Sequence, residues 1–311
     1  MKNKFLKRQE AYNKKREKEY IEKLKLDDEA YKKKLMELYN STMDRIVREI
    51  EADYARFADK EGLAMEEAMR KIEDFDVSKF YKKAEKYVKT KDFSDQANEE
   101  LRAYNLKMRV SRLDLMKREI LLETVDLANK EAKMLEKRLG ETVRKEVARQ
   151  AGILGLSKEM RKNIIKSGSS IIDSSFQGAT FSQRIWANNR ELRSKLQTGL
   201  ERSIIQGHHP RKWAKSLEDL VYEDVGKKAN YYAERLAITE TARIQTEVSK
   251  ECIKSAGYEK YIWIAEEDDR TCPFCMAKDD EVFTLEGSKI GINLPPLHPH
   301  CRCAIASWYE D

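Results

Sequence analysis

Apolar residues recur at helical spacing through most of the first 160 residues. One stripe repeats every seven residues through Leu106, Leu113, Ile120, Leu127 and Met134. A seven-residue repeat places its members on one face of a long helix, as in helical bundles and coiled coils. We therefore predict long amphipathic helices over residues 1–160. We assign the stripe to core packing, which explains such stripes more often than a cofactor does.

Short breaks interrupt this helical region. The run Asp59–Leu63 predicts a helix end, followed by a new helix over residues 65–72, and residues 76–78 predict a second break. Ser94 is a candidate N-cap, because a serine hydroxyl accepts a hydrogen bond from an amide of the first helical turn. The first proline of the chain is Pro210, so proline interrupts no earlier helix.

The composition changes after residue 160. Residues 167–186, SGSSIIDSSFQGATFSQRIW, are rich in serine and glycine and carry few charges, which indicates a segment that connects two regions. Helical spacing resumes every four residues from Leu192 to Ile204, where Gly207 suits a C-terminal cap. Two more helices are predicted over residues 208–221 and 231–257. The run YEKYIWIA that follows alternates aromatic and β-branched residues, which is typical of a strand.

Composition narrows the class of protein. Of 311 residues, 37% are charged and 41% are hydrophobic, which leaves enough apolar residues to form a core. No run of about 18 apolar residues occurs, so we predict no transmembrane helix. The first twenty residues lack the apolar stretch of a secretory signal. We therefore expect synthesis in the cytosol, where thiols stay reduced and paired cysteines bind metal or do redox work.

Positive charge is concentrated at the start of the chain. The first twenty residues hold eight Lys or Arg and three Asp or Glu, so they carry +5 of the formal net charge of +6. Two interpretations stay open, namely the solvated start of a helix or a basic arm that contacts DNA or an acidic partner.

The strongest chemical signal lies near the C-terminus. Cys272 and Cys275 form a C-x2-C pair, and His298, Cys301 and Cys303 form an H-x2-C-x-C element. Structural zinc takes four Cys or His ligands in a tetrahedron, and two short-spaced pairs joined by a loop commonly supply them. We predict a structural zinc ion held by residues of this set, with the choice of four among the five left open.

Several neighbours of this set also receive predictions. His300 is either an alternative ligand or a hydrogen-bond partner of the ligands. Arg302 is expected to pair with Asp268, Asp269 or the acidic residues at the C-terminus. Cys252 lies on a predicted helix and is assigned to the core, and the pair His208–His209 is assigned to a helix start.

The same cysteines admit two enzymatic alternatives. Cys-Pro-Phe-Cys resembles a dithiol redox motif, which needs a preceding strand and a following helix whose N-terminus lowers a thiol pKa. Here Asp279–Asp280 instead suits a turn between short strands. A metal-dependent nuclease would need an open coordination position and a downstream asparagine and histidine that the sequence lacks. A zinc ion with four protein ligands has no open position, so we predict no catalytic residues and no enzyme activity.

These elements predict a mainly α fold. It has a long-helix N-terminal half and an α+β C-terminal domain that ends in a small zinc-knuckle-like Cys/His subdomain. The predicted boundaries are a helical region over residues 1–160, a connecting segment over 161–180 and the C-terminal domain over 181–311, with the Cys/His cluster at 272–303.

The C-terminal part resembles the phage head-morphogenesis, or minor head protein, family of the Mu F-like group. The resemblance is carried by YIWIAEEDDRTCPFC, DDEVF and PPLHPHCRC, and it covers residues 181–307. The family's elements correspond here to Trp263, Asp268, Arg270, Thr271, Cys272 and Cys275, then to His298, Pro299, Cys301, Arg302 and Cys303.

Two positions depart from the family's pattern. Ile238 stands where the family has the arginine of an Arg-Thr-Glu element, so only Thr239 and Glu240 correspond. Asp280 stands where the family has the glycine of a turn.

The resemblance implies a structural protein of tailed-phage heads. It implies association with the portal protein and no association with a membrane. The major capsid protein and the scaffolding protein are further candidate partners. Its roles would be head assembly and procapsid maturation, DNA packaging or ejection. Its location would be the capsid interior at the portal vertex of the virion, and the host cytoplasm during assembly. The basic N-terminal arm is the candidate for non-specific contact with packaged DNA.

Overall fold

The computed structural model describes residues 2–61, 75–76, 82, 85–86, 89, 94–97, 109–110, 112–205, 219–266 and 271–309. The described helices are α1 (Lys2–Glu61), α2 (Arg112–Leu154), α3 (Lys158–Asp173), α4 (Phe181–Ile205), α5 (Lys227–Ser255) and α6 (Pro273–Met276), with a π-helical segment at Asp219–Gly226. The described strands are β1 (Phe75–Asp76), β2 (Arg109–Val110), β3 (Lys260–Ile264), β4 (Val282–Thr284) and β5 (Ala304–Trp308). This mainly α architecture with a small C-terminal sheet confirms the predicted fold class.

Several predicted elements are confirmed in the described part of the chain. Helices α4 and α5 cover the helical patterns that begin near Leu192 and Tyr231, and β3 lies within YEKYIWIA. The Ser94 hydroxyl accepts a hydrogen bond from the amide of Ala97 at 3.3 Å, as an N-cap does. The predicted helix over 65–72, most of the one over 208–221, and the cap at Gly207 lie outside the described residues.

The sequence predicts no transmembrane helix, and the helices of the structure can be compared with this prediction. Among the described helices, none is both long enough and apolar enough to cross a bilayer.

Part of the segment predicted as a connector is helical. Residues 158–173 form α3, whose N-cap Ser157 accepts a hydrogen bond from the amide of Met160 at 3.2 Å. The helix buries one narrow stripe, at Ile164, Gly168 and Ile172. Its serines lie outside this stripe, which explains why the segment has little of the apolar periodicity that predicts helices.

The chain forms two compact units, each built from segments that are distant in sequence. Unit 1 comprises residues 1–33, 134–181 and 234–311, and unit 2 comprises residues 34–133 and 182–233. The boundaries predicted from sequence follow the order of the chain instead, and they stay a prediction.

In unit 2, helix α2 is buried on every side from residue 118 to residue 129. Ile120 and Leu127 of the predicted stripe are fully buried, and Leu113 is half-buried. Because the helix is enclosed all round, its polar positions are buried as well as its apolar stripe. The packing role predicted for the stripe is therefore confirmed at these described positions.

Acidic side chains on α2 are buried in unit 2. Arg45 Nε donates a hydrogen bond to Glu123 Oε2 at 2.6 Å. The Tyr39 hydroxyl donates one to Glu131 Oε2 at 2.8 Å. Burial raises the pKa of Glu131 to about 7, although the hydrogen bond from Tyr39 lowers it. A buried carboxyl with a hydroxyl partner thus stays protonated well above its usual pH range.

We predict that Glu131→Gln stabilises the protein at pH 8. Below the ordinary carboxyl pKa of 4.5, the side chain is neutral in both the folded and unfolded chain. Between 4.5 and about 7 only the unfolded chain ionises, so the free energy of unfolding falls as the pH rises through this window. Above this window the buried carboxyl lowers the free energy of unfolding by a constant amount of about 3 kcal/mol. We expect the amide of the variant to recover about 2 kcal/mol of it, since the N–H groups of the amide also need partners and cost the rest.

Urea unfolding at pH 8 and pH 4 checks this prediction. The variant should be more stable than the natural chain at pH 8. At pH 4 it should be less stable by about 1 kcal/mol, because the carboxyl is then neutral in both states and only the cost of the amide N–H groups remains. Glu136→Gln, at an exposed position of the same helix, is the control and should change neither value. A gain of equal size at both pH values would contradict the assigned cause.

In unit 1, helix α3 packs closely on the second half of α2. A Cβ atom added at Gly168 would lie 2.8 Å from Cγ1 of Val143, which is closer than carbon atoms pack. The buried Arg243 closes the other end of α3, because its guanidinium donates hydrogen bonds to the carbonyls of Ile171 and Ile172 at 3.0 and 3.1 Å. Gly168 thus allows the short distance between α3 and α2, and Arg243 fixes the end of α3.

We predict that Gly168→Ala destabilises the protein by up to about 2 kcal/mol. Overpacking of a core costs about 1 to 3 kcal/mol, and Val143 yields little because β-branched side chains are stiff. The higher helix propensity of alanine offsets about 1 kcal/mol of this. Gly152→Ala is the matched control on α2, where an added Cβ meets nothing within 4 Å, and it should stabilise. Thermal unfolding of both variants measures the difference, and a stabilising Gly168→Ala would refute the close contact.

Candidate metal centre

Three antiparallel strands in the order β4-β3-β5 form the frame of the candidate site. Strand β3 lies in the centre, with Ile262 opposite Val282 of β4 and Ala306 of β5. The chain reaches α6 shortly after β3, and it returns through residues 298–303 directly before β5. This topology brings the two cysteine-containing elements to the same end of β3, although a long loop separates them.

The structure brings all five predicted ligands together. Their ligand atoms form two groups, and within each group all atoms lie within 4.8 Å of one another. The two groups share one member, Cys275. They consist of Cys272, Cys275 and His298, and of Cys275, Cys301 and Cys303. His300 belongs to neither group among the described residues, and its amide instead donates a hydrogen bond to the Thr239 hydroxyl at 3.3 Å.

The distances at Cys275 fit a tetrahedral metal ion. Its Sγ lies 3.8 Å from Sγ of Cys301 and 3.4 Å from Nε2 of His298. Zinc–sulfur bonds of about 2.3 Å and zinc–nitrogen bonds of about 2.0 Å at tetrahedral angles give separations of about 3.8 Å and about 3.5 Å. Soft thiolates and an imidazole are also the donors that zinc prefers. The residues present therefore fit a zinc ion.

Local hydrogen bonds orient the donor atoms. Cys272 is the N-cap of α6, and its Sγ accepts a hydrogen bond from the amide of Cys275 at 3.4 Å. Nδ1 of His298 lies 2.8 Å from the carbonyl oxygen of Pro299. A proton on Nδ1 donates to that carbonyl and leaves the Nε2 lone pair directed at the sulfurs, as metal-binding histidines are commonly held. Both turns are thus arranged for ligation by the side chains.

The cluster is packed in an apolar shell. Trp263 and Ala265, at the end of β3, are fully buried against the cysteines, with Leu297 and Phe283 around them. Cys275, Cys301 and Cys303 are also buried. Such surroundings keep water away from the ligands and strengthen the attraction between thiolates and a cation.

The cysteines of the cluster share protons, and a bound cation would displace those protons. Hydrogen bonds with Cys301 and Cys303 raise the pKa of Cys275. The corresponding bonds from Cys275 and Cys303 lower the pKa of Cys301. One thiolate is thus stabilised by neighbouring thiols that stay protonated. A divalent metal replaces those protons, so its binding releases them and becomes tighter as the pH rises.

Ion pairs from α1 surround the cluster within unit 1. Lys14 Nζ lies 3.1 Å from Asp279 Oδ2 and also pairs with Asp280. Lys25 Nζ lies 2.7 Å from Glu266 Oε1. Both acidic positions adjoin the first pair of cysteines, so the N-terminal helix is held against the elements that carry them. Sequence reasoning missed these contacts, because their partners are more than 240 residues apart.

Arg302, between the last two cysteines, pairs with Asp28 of α1. The partners predicted for it from sequence, Asp268, Asp269 and the C-terminal acids, lie outside the described residues. Burial lowers the pKa of Arg302 to about 10. Asp28 also accepts a hydrogen bond from Arg138 Nη2 of α2 at 2.6 Å, so one aspartate links two helices to the ligand loop.

The turn after the second cysteine forms without the family's glycine. Asp280 adopts a φ of 67°, the left-handed conformation that glycine takes readily and that aspartate tolerates better than most residues. Its ion pair with Lys14 lies at this same turn.

The fifth cysteine lies apart from the cluster. Cys252 is fully buried on α5 and belongs to neither ligand group. Burial raises its pKa to about 12, which makes it an inert core thiol, as predicted from sequence. His208 and His209 lie outside the described residues.

Part of the chain is similar to a known protein family. Residues 194–306 match the family model of Phage Mu protein F like protein. This confirms the resemblance seen in the cysteine and histidine elements, and it supports a phage head-morphogenesis protein. No curated protein and no solved structure shows significant similarity to the chain.

We predict that the purified chain binds about one zinc ion and that Cys275→Ser removes it, since Cys275 belongs to both ligand groups. Elemental analysis of protein passed over a chelating resin measures the zinc content. Cys252→Ser makes the same chemical change at a buried thiol outside the cluster, and it should retain the ion. Full zinc content in the Cys275 variant, or loss only in the Cys252 variant, would contradict this assignment.

Proposed function

We propose that the chain is a structural minor head protein of a tailed phage or prophage. The observation that carries the proposal is the match of residues 194–306 to the Mu F-like family model. The matched region includes α5, strands β3 and β4, the start of β5 and all five candidate ligands. It therefore contains the part of the molecule that the candidate metal centre holds together.

We further propose that the protein acts at the portal vertex, in head assembly, DNA packaging or DNA ejection. The portal protein is the proposed partner, with the major capsid or scaffolding protein as further candidates. These assignments rest on the family resemblance. The long helix α1, of 60 residues, has exposed positions along much of its length and offers an extended surface of the kind that such contacts need.

In this proposal zinc has a structural role. The cluster offers two groups of three ligands that share Cys275. In this proposal four of the five residues close around one ion, which then keeps no position for water or substrate. The sheet beside it has three strands of three to five residues, which is a small frame to be stable alone. In zinc-finger peptides metal binding supplies roughly 10 kcal/mol or more of folding free energy, enough to stabilise such a frame.

One observation favours the dithiol alternative. Burial raises the pKa of Cys272. Hydrogen bonds from the first turn of α6 and the charge of the nearby His298 together lower it by more, so its pKa lies below that of an ordinary thiol. A depressed thiol pKa at a helix N-terminus is typical of redox cysteines. The same features serve a metal ligand, which must also lose its proton. Bound zinc together with no turnover of a disulfide substrate would separate the two.

The test of the proposed function is the protein content of phage particles. We expect mass spectrometry of gradient-purified particles to find the chain beside the portal protein, in small amounts relative to the major capsid protein. Particles produced with the Cys275→Ser chain should contain less of it than particles with the Cys252→Ser chain, because loss of the metal unfolds the matched region. A chain found only in the soluble fraction of the lysate would reject the head-protein proposal.

A further inference from the structure

Helix α3 carries a basic flank that the proposed function does not use. The flank consists of Lys158, Arg161, Lys162 and Lys166. The three lysines are exposed and Arg161 is half-buried. At 100° per residue the three lysines fall within an arc of about 80° beside the buried stripe, and Arg161 lies at the stripe itself. The segment 158–166 has four basic residues and one acidic residue, a net charge of +3.

The basic side chains of this flank are not neutralised by described residues. Many other lysines of unit 1 have carboxylate partners: Lys14 pairs with Asp279, Lys25 with Glu266, Lys32 with Glu234 and Lys145 with Asp27. No ion pair joins the four residues of the α3 flank to any side chain in the described part of the chain. Arg161 donates only to the carbonyl of Ser157, at 3.4 Å. The flank therefore presents its positive charge to solvent.

Two basic residues of the N-terminal arm are already paired within the protein. Lys14 is held by Asp279 and Asp280, and Arg16 Nη2 lies 3.0 Å from Glu17 Oε1. Positive charge that is already paired within the protein gains less from a phosphate, because the existing pair must break first. Among the residues whose side chains are described, the α3 flank is thus a better candidate than Lys14 or Arg16 for contact with a polyanion.

We propose that the basic flank of α3 binds the phosphate backbone of duplex DNA without sequence preference. Lys158, Lys162 and Lys166 follow each other at intervals of about 6 Å along the helix. Each can therefore reach a different phosphate of a strand whose charges repeat every ~3.4 Å along the duplex axis. The inference stands on charge and geometry and does not depend on the proposed head function.

Other anionic partners fit this flank less well. The sequence of α3 has no aromatic residue, whereas proteins that bind single strands stack bases on aromatic side chains. A helix that binds a membrane surface needs a continuous exposed apolar face. The apolar stripe of α3 is instead buried in unit 1, at Ile164 and Ile172. Phosphates of a duplex require only the positive charges that the flank supplies.

The test is fluorescence anisotropy of the full chain with a labelled 30-base-pair duplex, over a range of salt concentrations. The variant is the triple exchange Lys158→Glu, Lys162→Glu and Lys166→Glu. We expect its affinity at low salt to fall by about tenfold or more. The slope of log K against log salt should become shallower by about 3, or about one for each phosphate that the variant no longer neutralises.

The matched control exchanges three exposed lysines elsewhere, Lys228, Lys254 and Lys289, for glutamate. Each exchange of lysine for glutamate lowers the net charge by 2, so either triple variant takes the formal net charge from +6 to zero. The control should keep most of the affinity and the steeper slope. An equally weakened affinity in both variants would show that only net charge matters, and it would overturn the assignment to α3.

Two further readouts keep the test decisive. Circular dichroism should show the same helix content in both variants, and a milder triple exchange to glutamine should weaken binding in the same direction. Vesicles with anionic headgroups are the competing surface. Binding to vesicles but not to the duplex, or no binding of the natural chain to the duplex at low salt, would overturn the proposal.

Discussion

The C-terminal part of the molecule depends on holding several sulfur atoms around Cys275. His298 and Cys301 lie 23 and 26 residues further along the chain. The three-stranded sheet brings them back, since β3 pairs with the strand that follows each ligand element. In return, the cysteines fill the centre of the apolar cluster around Trp263. The fold of this region and its candidate metal site therefore depend on each other, because the same residues form the candidate ligand set and the core.

Buried charge is the second constraint in unit 1. Arg149 Nη1 lies 2.8 Å from Glu17 Oε1, and Nη2 lies 2.6 Å from Glu146 Oε1, with both carboxylates buried. The Ser249 hydroxyl donates to the same Glu146 at 2.6 Å. Desolvating such charges costs free energy unless every partner is present. These networks therefore join α1, α2 and α5 in one specific arrangement, whereas apolar contacts alone would tolerate sliding along the helix axes.

This arrangement connects the family match with the rest of the chain. The match covers residues 194–306, but the candidate metal centre is surrounded by residues from outside it, at Lys14, Lys25 and Asp28 of α1. The basic flank of α3 also lies outside the match. The matched region supplies the ligand frame, and the helices before it supply the ion pairs and the exposed positive surface.

The sequence by itself determined the candidate ligand set and the main helices. Both signals come from short-range spacing: C-x2-C and H-x2-C-x-C indicate the five candidate ligands, and apolar recurrence located α4, α5 and the stripe in α2. Spacing says nothing about which distant segments meet. The pairing of Arg302 with Asp28, the cap that Arg243 forms on α3 and the contact of Gly168 with Val143 were decided only by tertiary structure. Many residues could satisfy an ion pair or fill a gap equally well in sequence, and only packing in three dimensions selects one.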